Sequence, residues 1–221
     1  MRRACLPFII LIALLIAGQT ASARQGGGNR TLGMIRFAHF AVDVAPVDIY
    51  VNGELSTIRG LEWSGMTSWY SLSPDEYEFA FVPAGGQPED AWAEPVTLSI
   101  EAAEWTTLTL IGTDQRGTVG TQVIRESFRE LPRGESRLAV FQAIEDWPSV
   151  DLIANGNALL QFLNYPGTFE AEYGGVNNGF VSVDIIGNPY EMSFVAHGEG
   201  ATLLDIGGED FPQYEWQDAA M

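Results

Sequence analysis

The stretch MIRFAHFAVDVAPVDIYVNG, residues 34–53, occurs a second time as RLAVFQAIEDWPSVDLIANG, residues 137–156. Adding 103 to each residue number aligns the two copies without a gap. Self-similarity at a fixed spacing indicates that the chain is built from two repeats. The identical pairs are Asp43 and Asp146, Val47 and Val150, Asp48 and Asp151, Asn52 and Asn155, and Gly53 and Gly156.

Each copy predicts two strands that are joined by a corner and followed by a tight turn. Apolar and polar residues alternate on both sides of the corner, which is the period of half-buried strands. The corner contains Pro46 in the first copy and Pro148 in the second, and proline lacks the donor that a central strand needs. The Asn-Gly pair that ends each copy favours a type I′ hairpin turn.

Short β-type runs continue through the first copy at residues 55–61, 68–72, 77–82, 96–100, 106–112 and 121–125. Their number and spacing are typical of an antiparallel sandwich. We therefore predict an all-β chain of two tandem immunoglobulin-like antiparallel β-sandwich domains, the first at residues 34–128 and the second at 137–221. Residues 129–136 are the expected linker.

The second sandwich is expected to be shortened at its C-terminus. Its counterpart of Leu98-Ser99-Ile100 is Leu204-Asp205-Ile206, and the chain ends 15 residues later, whereas the first copy continues through two more predicted strands. An incomplete sandwich exposes a strand edge. Such an edge borrows a strand, is covered by a neighbour, or leaves the domain marginally stable.

The N-terminus has the three parts of a secretory signal peptide. Arg2 and Arg3 precede an apolar run at residues 6–17, and Ala21-Ser22-Ala23 provides a small-residue cleavage site. The run is shorter than the roughly 20 residues of a membrane span, which is the alternative interpretation. We predict a signal-peptide helix at residues 1–23, cleavage after Ala23, a flexible tether at 24–33 and no membrane span afterwards. The expected location is secreted or at the cell surface.

The composition agrees with export. Cleavage would leave nine arginines against 29 acidic residues, a net charge of −20, and it would remove the single cysteine, Cys5. The chain contains no lysine. This charge disfavours nucleic acid and anionic lipid as partners, because both require basic surfaces. It favours solubility, tolerance of salt, or the binding of cations.

Three motifs of the first copy carry a family resemblance. These are A-H-F-x-x-D-x-A-P-V-D-I-Y-V-N-G, W-S-G-M-T-S-W-Y and E-Y-E-F-A-F-V-P-A-G. They resemble the tandem β-sandwich repeats of the DUF4397 family, a domain of unknown function, and the resemblance extends over nearly all of residues 34–221. It implies a sandwich fold and an exported or surface location, but no activity.

Catalytic motifs are mostly absent from the sequence, and nothing in it favours the one alternative that its residue types allow, a Ser-His-Asp arrangement. We therefore expect no enzymatic activity and no cofactor. The chain has no P-loop lysine, no H-E-x-x-H, no G-x-S-x-G and, once mature, no thiol. His39 falls at a strand end where the second copy has Gln142, which predicts a hydrogen-bonding role. His197 lies in a glycine-rich turn and is expected to be solvated.

The repeated aspartates suggest a second possibility, a Ca²⁺ site, because carboxylate oxygens are ligands of this ion. The alternative is that Asp43 caps the corner through a bond to the backbone and that Asp48 points outward from its strand. We favour the capping interpretation over a Ca²⁺ site, since the chain has no run of alternating acids like that of a calcium-binding loop. The weak Ca²⁺ candidates are Asp43, Asp48, Asp146, Asp151, Asp205, Glu209 and Asp210.

Six tryptophans provide the other candidate contacts. Most lie in strand-like segments, where burial between sheets is the ordinary explanation. Trp147 lies in a corner and Trp92 in an acidic loop, so these two are the candidates for contact with a carbohydrate or a protein.

The function expected from the sequence is that of an exported, non-catalytic surface module for binding or adhesion. The alternative is a structural spacer or envelope component that self-associates through the open edge of the second domain. An exported hydrolase is a more distant third.

Overall fold

The computed structural model describes residues 31–126, 135–167, 181–186 and 191–206, which form fourteen β-strands and two short 3₁₀ helices. The strands of the first repeat are β1 Gly33–His39, β2 Val47–Val51, β3 Glu54–Leu55, β4 Tyr70–Leu72, β5 Asp75–Pro83, β6 Val96–Ile100, β7 Trp105–Ile111 and β8 Gly120–Glu126. Those of the second are β9 Glu135–Val140, β10 Val150–Ala154, β11 Asn157–Leu163, β12 Val181–Ile186, β13 Met192–Ala196 and β14 Thr202–Ile206. The 3₁₀ helices are Pro88–Asp90 and Asp114–Arg116.

The first repeat is a sandwich of two four-stranded sheets, in the orders β4-β1-β7-β8 and β3-β2-β5-β6. Alternate side chains of β1, β2, β5 and β7 point into a common core between them. Fully buried members of this core are Ile35, Phe37, Ile49, Phe79, Phe81, Leu108 and Leu110. The all-β sandwich predicted from the sequence is confirmed.

One ladder departs from the expected antiparallel pattern, because β1 pairs with β7 in parallel from Met34 opposite Trp105 to His39 opposite Leu110. A buried polar group on the outer face of the sheet ties this ladder to β8. The Arg36 guanidinium donates to Thr107 Oγ1 at 2.8 Å and to Glu126 Oε1 at 2.7 Å. Because burial leaves these groups little access to water, the strands that carry them are held in a defined register.

The second repeat reproduces most of this arrangement. Its sheet β11-β10-β13-β14 has the order of β3-β2-β5-β6, and β9 pairs with β12 as β1 pairs with β4. A separate core includes Leu138, Leu152, Leu163 and Phe194. Within the part of the repeat that the structure describes, β7 and β8 have no counterparts; residues 207–221 lie outside the described ranges, so the predicted shortening stays a prediction.

The two Asn-Gly turns have the backbone expected of type I′. Asn52 and Gly53 have φ angles of 52° and 75°, and Asn155 and Gly156 have 48° and 76°. The asparagine side chains also make the same bond in both repeats. Asn52 Oδ1 accepts from the amide of Glu78, and Asn155 Oδ1 accepts from the amide of Glu191, each at 2.8 Å.

Several sequence predictions fall outside the described residues. These include the signal peptide at residues 1–23, most of the tether and of the linker, and the polar end after Ile206. The domain bounds therefore stay predictions. Of the expected strand at residues 55–61, the structure retains β3 and an isolated bridge at Leu61. No helix in the described ranges is long and apolar enough to cross a membrane.

Candidate functional site

The two repeats pack against each other through a small apolar cluster. Ala38, Phe40, Ile111 and Ile124 of the first repeat meet Ala139 and Phe141 of the second. The repeat-related positions are complementary in size, because Ala38 corresponds to Phe141 and Phe40 corresponds to Ala143. At each of these two positions one repeat has a phenylalanine and the other has an alanine. The large side chains can therefore pack beside small ones, and the outer faces of β1 and β9 can approach closely.

Beside this contact lies a cleft of about 360 Å³ that both repeats line. Its volume is within the range of sites that hold small ligands. The first repeat contributes Phe40, Val42, Asp43, Trp63, Gly112, Thr113, Gln115 and Arg116, and the second contributes Phe141, Ala143, Ile144, Glu145 and Asp146. The cleft thus combines an aromatic lining with a few charged groups, and it requires both repeats.

The charged groups of the cleft connect the two repeats. Arg116, from the second 3₁₀ helix, forms a two-pronged salt bridge with Asp146, and the Thr118 hydroxyl donates to Glu145 Oε2 at 2.7 Å. The Arg116 hydrogen bonds lower the pKa of Asp146, and Asp146 in turn raises the pKa of Arg116. Both side chains are exposed, so this bridge orients the cleft wall more than it stabilises the fold.

Asp43 lines the same cleft. The residue has a φ angle of 60°, a left-handed conformation that aspartate tolerates better than most residues. Its Oδ2 accepts from the Gln115 side-chain amide at 2.6 Å. The predicted bond to the corner backbone is replaced by this contact with the 3₁₀ helix, so the Asp43 carboxylate faces the cleft.

The prediction that Asp48 points outward is wrong. Its side chain is buried, with 4% of the residue exposed. Oδ1 accepts from the amide of Gly60 at 2.8 Å and Oδ2 accepts from the amide of Gly85 at 2.9 Å. The two loop amides give the buried carboxylate hydrogen-bond donors, which is why a charged residue is accommodated on a strand buried on both faces.

Asp151 has the same role in the second repeat with one change of donor. Its Oδ1 accepts from the amide of Phe162 at 3.0 Å, and Phe162 has a φ of 58°, close to the 60° of Gly60. The second donor is the Nδ1 of His197, at 2.8 Å from Oδ1. His197 was expected to be solvated, but it bonds Asp151 and its ring packs on Phe162 with centroids 3.6 Å apart.

His39 makes the predicted hydrogen bond at its strand end. Its Nε2 lies 3.3 Å from the carbonyl oxygen of Ala45, and burial lowers the pKa of the imidazole. Gln142, at the repeat-related position, accepts through Oε1 from the amide of Ile144 at 3.0 Å. Each side chain therefore bonds to the backbone in or close to the corner of its own repeat.

The five Ca²⁺ candidates within the described residues divide into three groups. Asp43 and Asp146 line the cleft, Asp48 and Asp151 are committed to internal donors, and Asp205 is exposed on β14. Glu209 and Asp210 lie outside the described residues. Within the described ranges no three acids, histidines or cysteines are grouped as metal ligands. A Ca²⁺ site stays a prediction.

The two candidate tryptophans pack against the cores of their own repeats. Trp92 contacts the first core and Trp147 the second, each partly buried. The tryptophan that lines the cleft is instead Trp63, with 36% of the residue exposed. The sequence signal was the motif W-S-G-M, which places Trp63 in a turn before Ser64, a residue with a φ of 64°. Arg116 and Glu145 were also missed, because only the packing of the repeats brings them together.

A family model described as a domain of unknown function, DUF4397, matches residues 33–153, which is more than half of the chain. The chain belongs to the DUF4397 family. The matched range contains the whole first sandwich and the corner of the second, so it includes the residues that line the cleft. No curated protein sequence matches the chain.

Proposed function

We propose that this DUF4397 protein is an exported, non-catalytic module that binds a protein or carbohydrate ligand at the cell surface through the cleft between its repeats. The observation that carries the proposal is the cleft itself. Its aromatic side chains offer apolar contact area, and its carboxylates, Gln115 and Arg116 offer hydrogen bonds to a polar ligand.

The ligand is to be sought with arrays of glycans and peptides, probed with the unaltered chain and with Trp63→Ala. A matched control is Tyr70→Ala, because Tyr70 is as exposed as Trp63, at 37% against 36%, but does not line the cleft. We expect at least one ligand class to lose binding in Trp63→Ala and to keep it in Tyr70→Ala. Ligands that bind both variants as they bind the unaltered chain would contradict the cleft as the site.

Export rests on the three-part N-terminus and is tested separately. We expect the intact mass of the protein recovered from the medium or envelope of an expressing host to correspond to a chain that begins at Arg24. A full-length mass in the cytoplasm would contradict the proposed location.

The second candidate function is assembly as a structural spacer or envelope component. It is favoured by β9, which pairs only with β12 among the described residues, whereas β1 pairs with both β4 and β7. Light scattering on a size-exclusion column, with and without Ca²⁺, distinguishes the two functions. Concentration-dependent dimers would favour assembly, dimers only with Ca²⁺ would favour a metal-linked contact, and a monomer would leave ligand binding in the cleft.

A further inference from the structure

The charges of the residues that line the cleft indicate which class of ligand it binds. This step rests on the proposed function, because it concerns the same site. We propose that the cleft binds a basic segment of a partner protein, with an arginine or lysine side chain of that partner entering between Trp63 and the carboxylates of Asp43 and Glu145.

The carboxylates of the cleft are not equally neutralised. Asp146 is paired with Arg116, whereas the contacts shown for Asp43 and Glu145 come from the neutral donors Gln115 and Thr118. In the described part of the chain neither of these two acids forms a direct ion pair with a cationic side chain, although the charge of Glu145 contributes to the raised pKa of Arg116. With three acids and one guanidinium, the lining has a formal charge of −2.

The negative potential of Glu145 extends to its neighbours. Burial raises the pKa of the Tyr165 hydroxyl, and Glu145 raises it further. Glu145 is itself only partly exposed, so its charge is less screened than that of a fully solvated acid. A cationic group that enters the cleft would therefore gain more electrostatic binding free energy than it would at an open acidic surface.

The cavity and its aromatic residue, rather than the acids alone, define the site. The π face of a tryptophan attracts a guanidinium or ammonium group, and Trp63 is the most exposed aromatic side chain of the lining. Val42, with 47% of the residue exposed, adds an apolar surface for the methylene groups of such a side chain. A neutral sugar would use Trp63 but would leave the two carboxylates without a counter-charge.

The test titrates the purified protein with the blocked dipeptide acetyl-Arg-Arg-amide, with acetyl-Gln-Gln-amide as the neutral probe. Binding is followed by calorimetry at low ionic strength. The double variant Asp43→Asn, Glu145→Gln keeps the acceptor oxygens for Gln115 and Thr118 but removes both charges. The control Glu54→Gln, Glu76→Gln changes the net charge equally at exposed positions outside the cleft.

We expect one arginine dipeptide per chain and no measurable binding of the glutamine dipeptide. Since one exposed ion pair changes an equilibrium constant by a factor of up to about five, loss of both should weaken binding by about tenfold. The control pair should weaken it by less than about twofold.

Two failures can be told apart. The basic ligand is refuted if the arginine dipeptide does not bind, or if it binds both double variants alike. The binding function remains in either case, provided that array ligands still require Trp63. If no array ligand depends on Trp63 either, the proposed function fails with it.

Discussion

The buried carboxylate of Asp48 should contribute measurably to the unfolding free energy of the first repeat. It bridges the amides of Gly60 and Gly85, which belong to two different loops. Asp48→Asn keeps the shape of the side chain but replaces one acceptor oxygen by an NH₂ group. That group faces a backbone N–H, so the bond to this amide is lost and the buried NH₂ group has no acceptor.

The expected cost follows from this lost bond. A buried polar group without a partner, here the new NH₂ group, costs about 1–3 kcal/mol, whereas the stability of a whole domain is about 5–15 kcal/mol. The first repeat should therefore still fold, with a melting temperature lowered by roughly 5–15 °C. Glu54→Gln, the same chemical change at an exposed position of β3, should stay within about 0.5 kcal/mol of the unaltered chain.

Urea and thermal denaturation, followed by circular dichroism and tryptophan fluorescence, give the unfolding free energy and the melting temperature of each variant. The assigned role of Asp48 would be refuted if Asp48→Asn and Glu54→Gln had the same unfolding free energy. A gain in stability would also refute it, because it would mean that burying the charge costs more than the two bonds contribute.

Three further substitutions test other parts of the structure. Burial lowers the pKa of His39 below 6.5, so the unfolded chain takes up a proton that the folded chain resists, and stability should fall as the pH decreases from 6.5 towards the lowered pKa. His39→Gln, which installs the residue found at Gln142, should reduce the difference between urea midpoints at about pH 8 and about pH 5. Phe141→Ala should cost about 3–5 kcal/mol because it opens the buried contact between the repeats, and an unchanged unfolding midpoint would contradict that contact. His197→Ala should cost about 1–3 kcal/mol, since Asp151 loses its side-chain donor; equal melting curves would show that this bond adds nothing.

The sequence predicted the strands and turns well because these features depend on neighbouring residues. The alternation around Ile35 and Ile49 identifies strands with one face in the core, and the Asn-Gly pairs identify turns that need positive φ angles. Both signals are local, and the second copy repeats them at the same spacing.

Other features depend on partners that are distant in the sequence. Alternation does not encode strand direction, so the parallel pairing of β1 with β7 could not be predicted. An aspartate on a strand usually faces water, and only the amides of Gly60 and Gly85 make the buried position of Asp48 favourable.

The cleft could not be predicted either, because the residues that line it are distant in the sequence. Asp43 and Asp146 are 103 residues apart, and they line one cavity because the faces of β1 and β9 pack together. The size complementarity of Ala38 with Phe141, and of Phe40 with Ala143, was visible in the alignment of the copies. It could be interpreted only once the contact between the repeats was known.

The most direct test of ligand binding between the repeats is a heteronuclear NMR titration of the purified protein with acetyl-Arg-Arg-amide. We predict that the indole signal of Trp63 and the backbone signals of Gly112 and Glu145 shift together. The signals of the Asn52-Gly53 turn, which does not line the cleft, should stay in place. Shifts spread evenly over the acidic surface, with no response from Trp63, would contradict the assignment of the cleft as the binding site for a basic ligand.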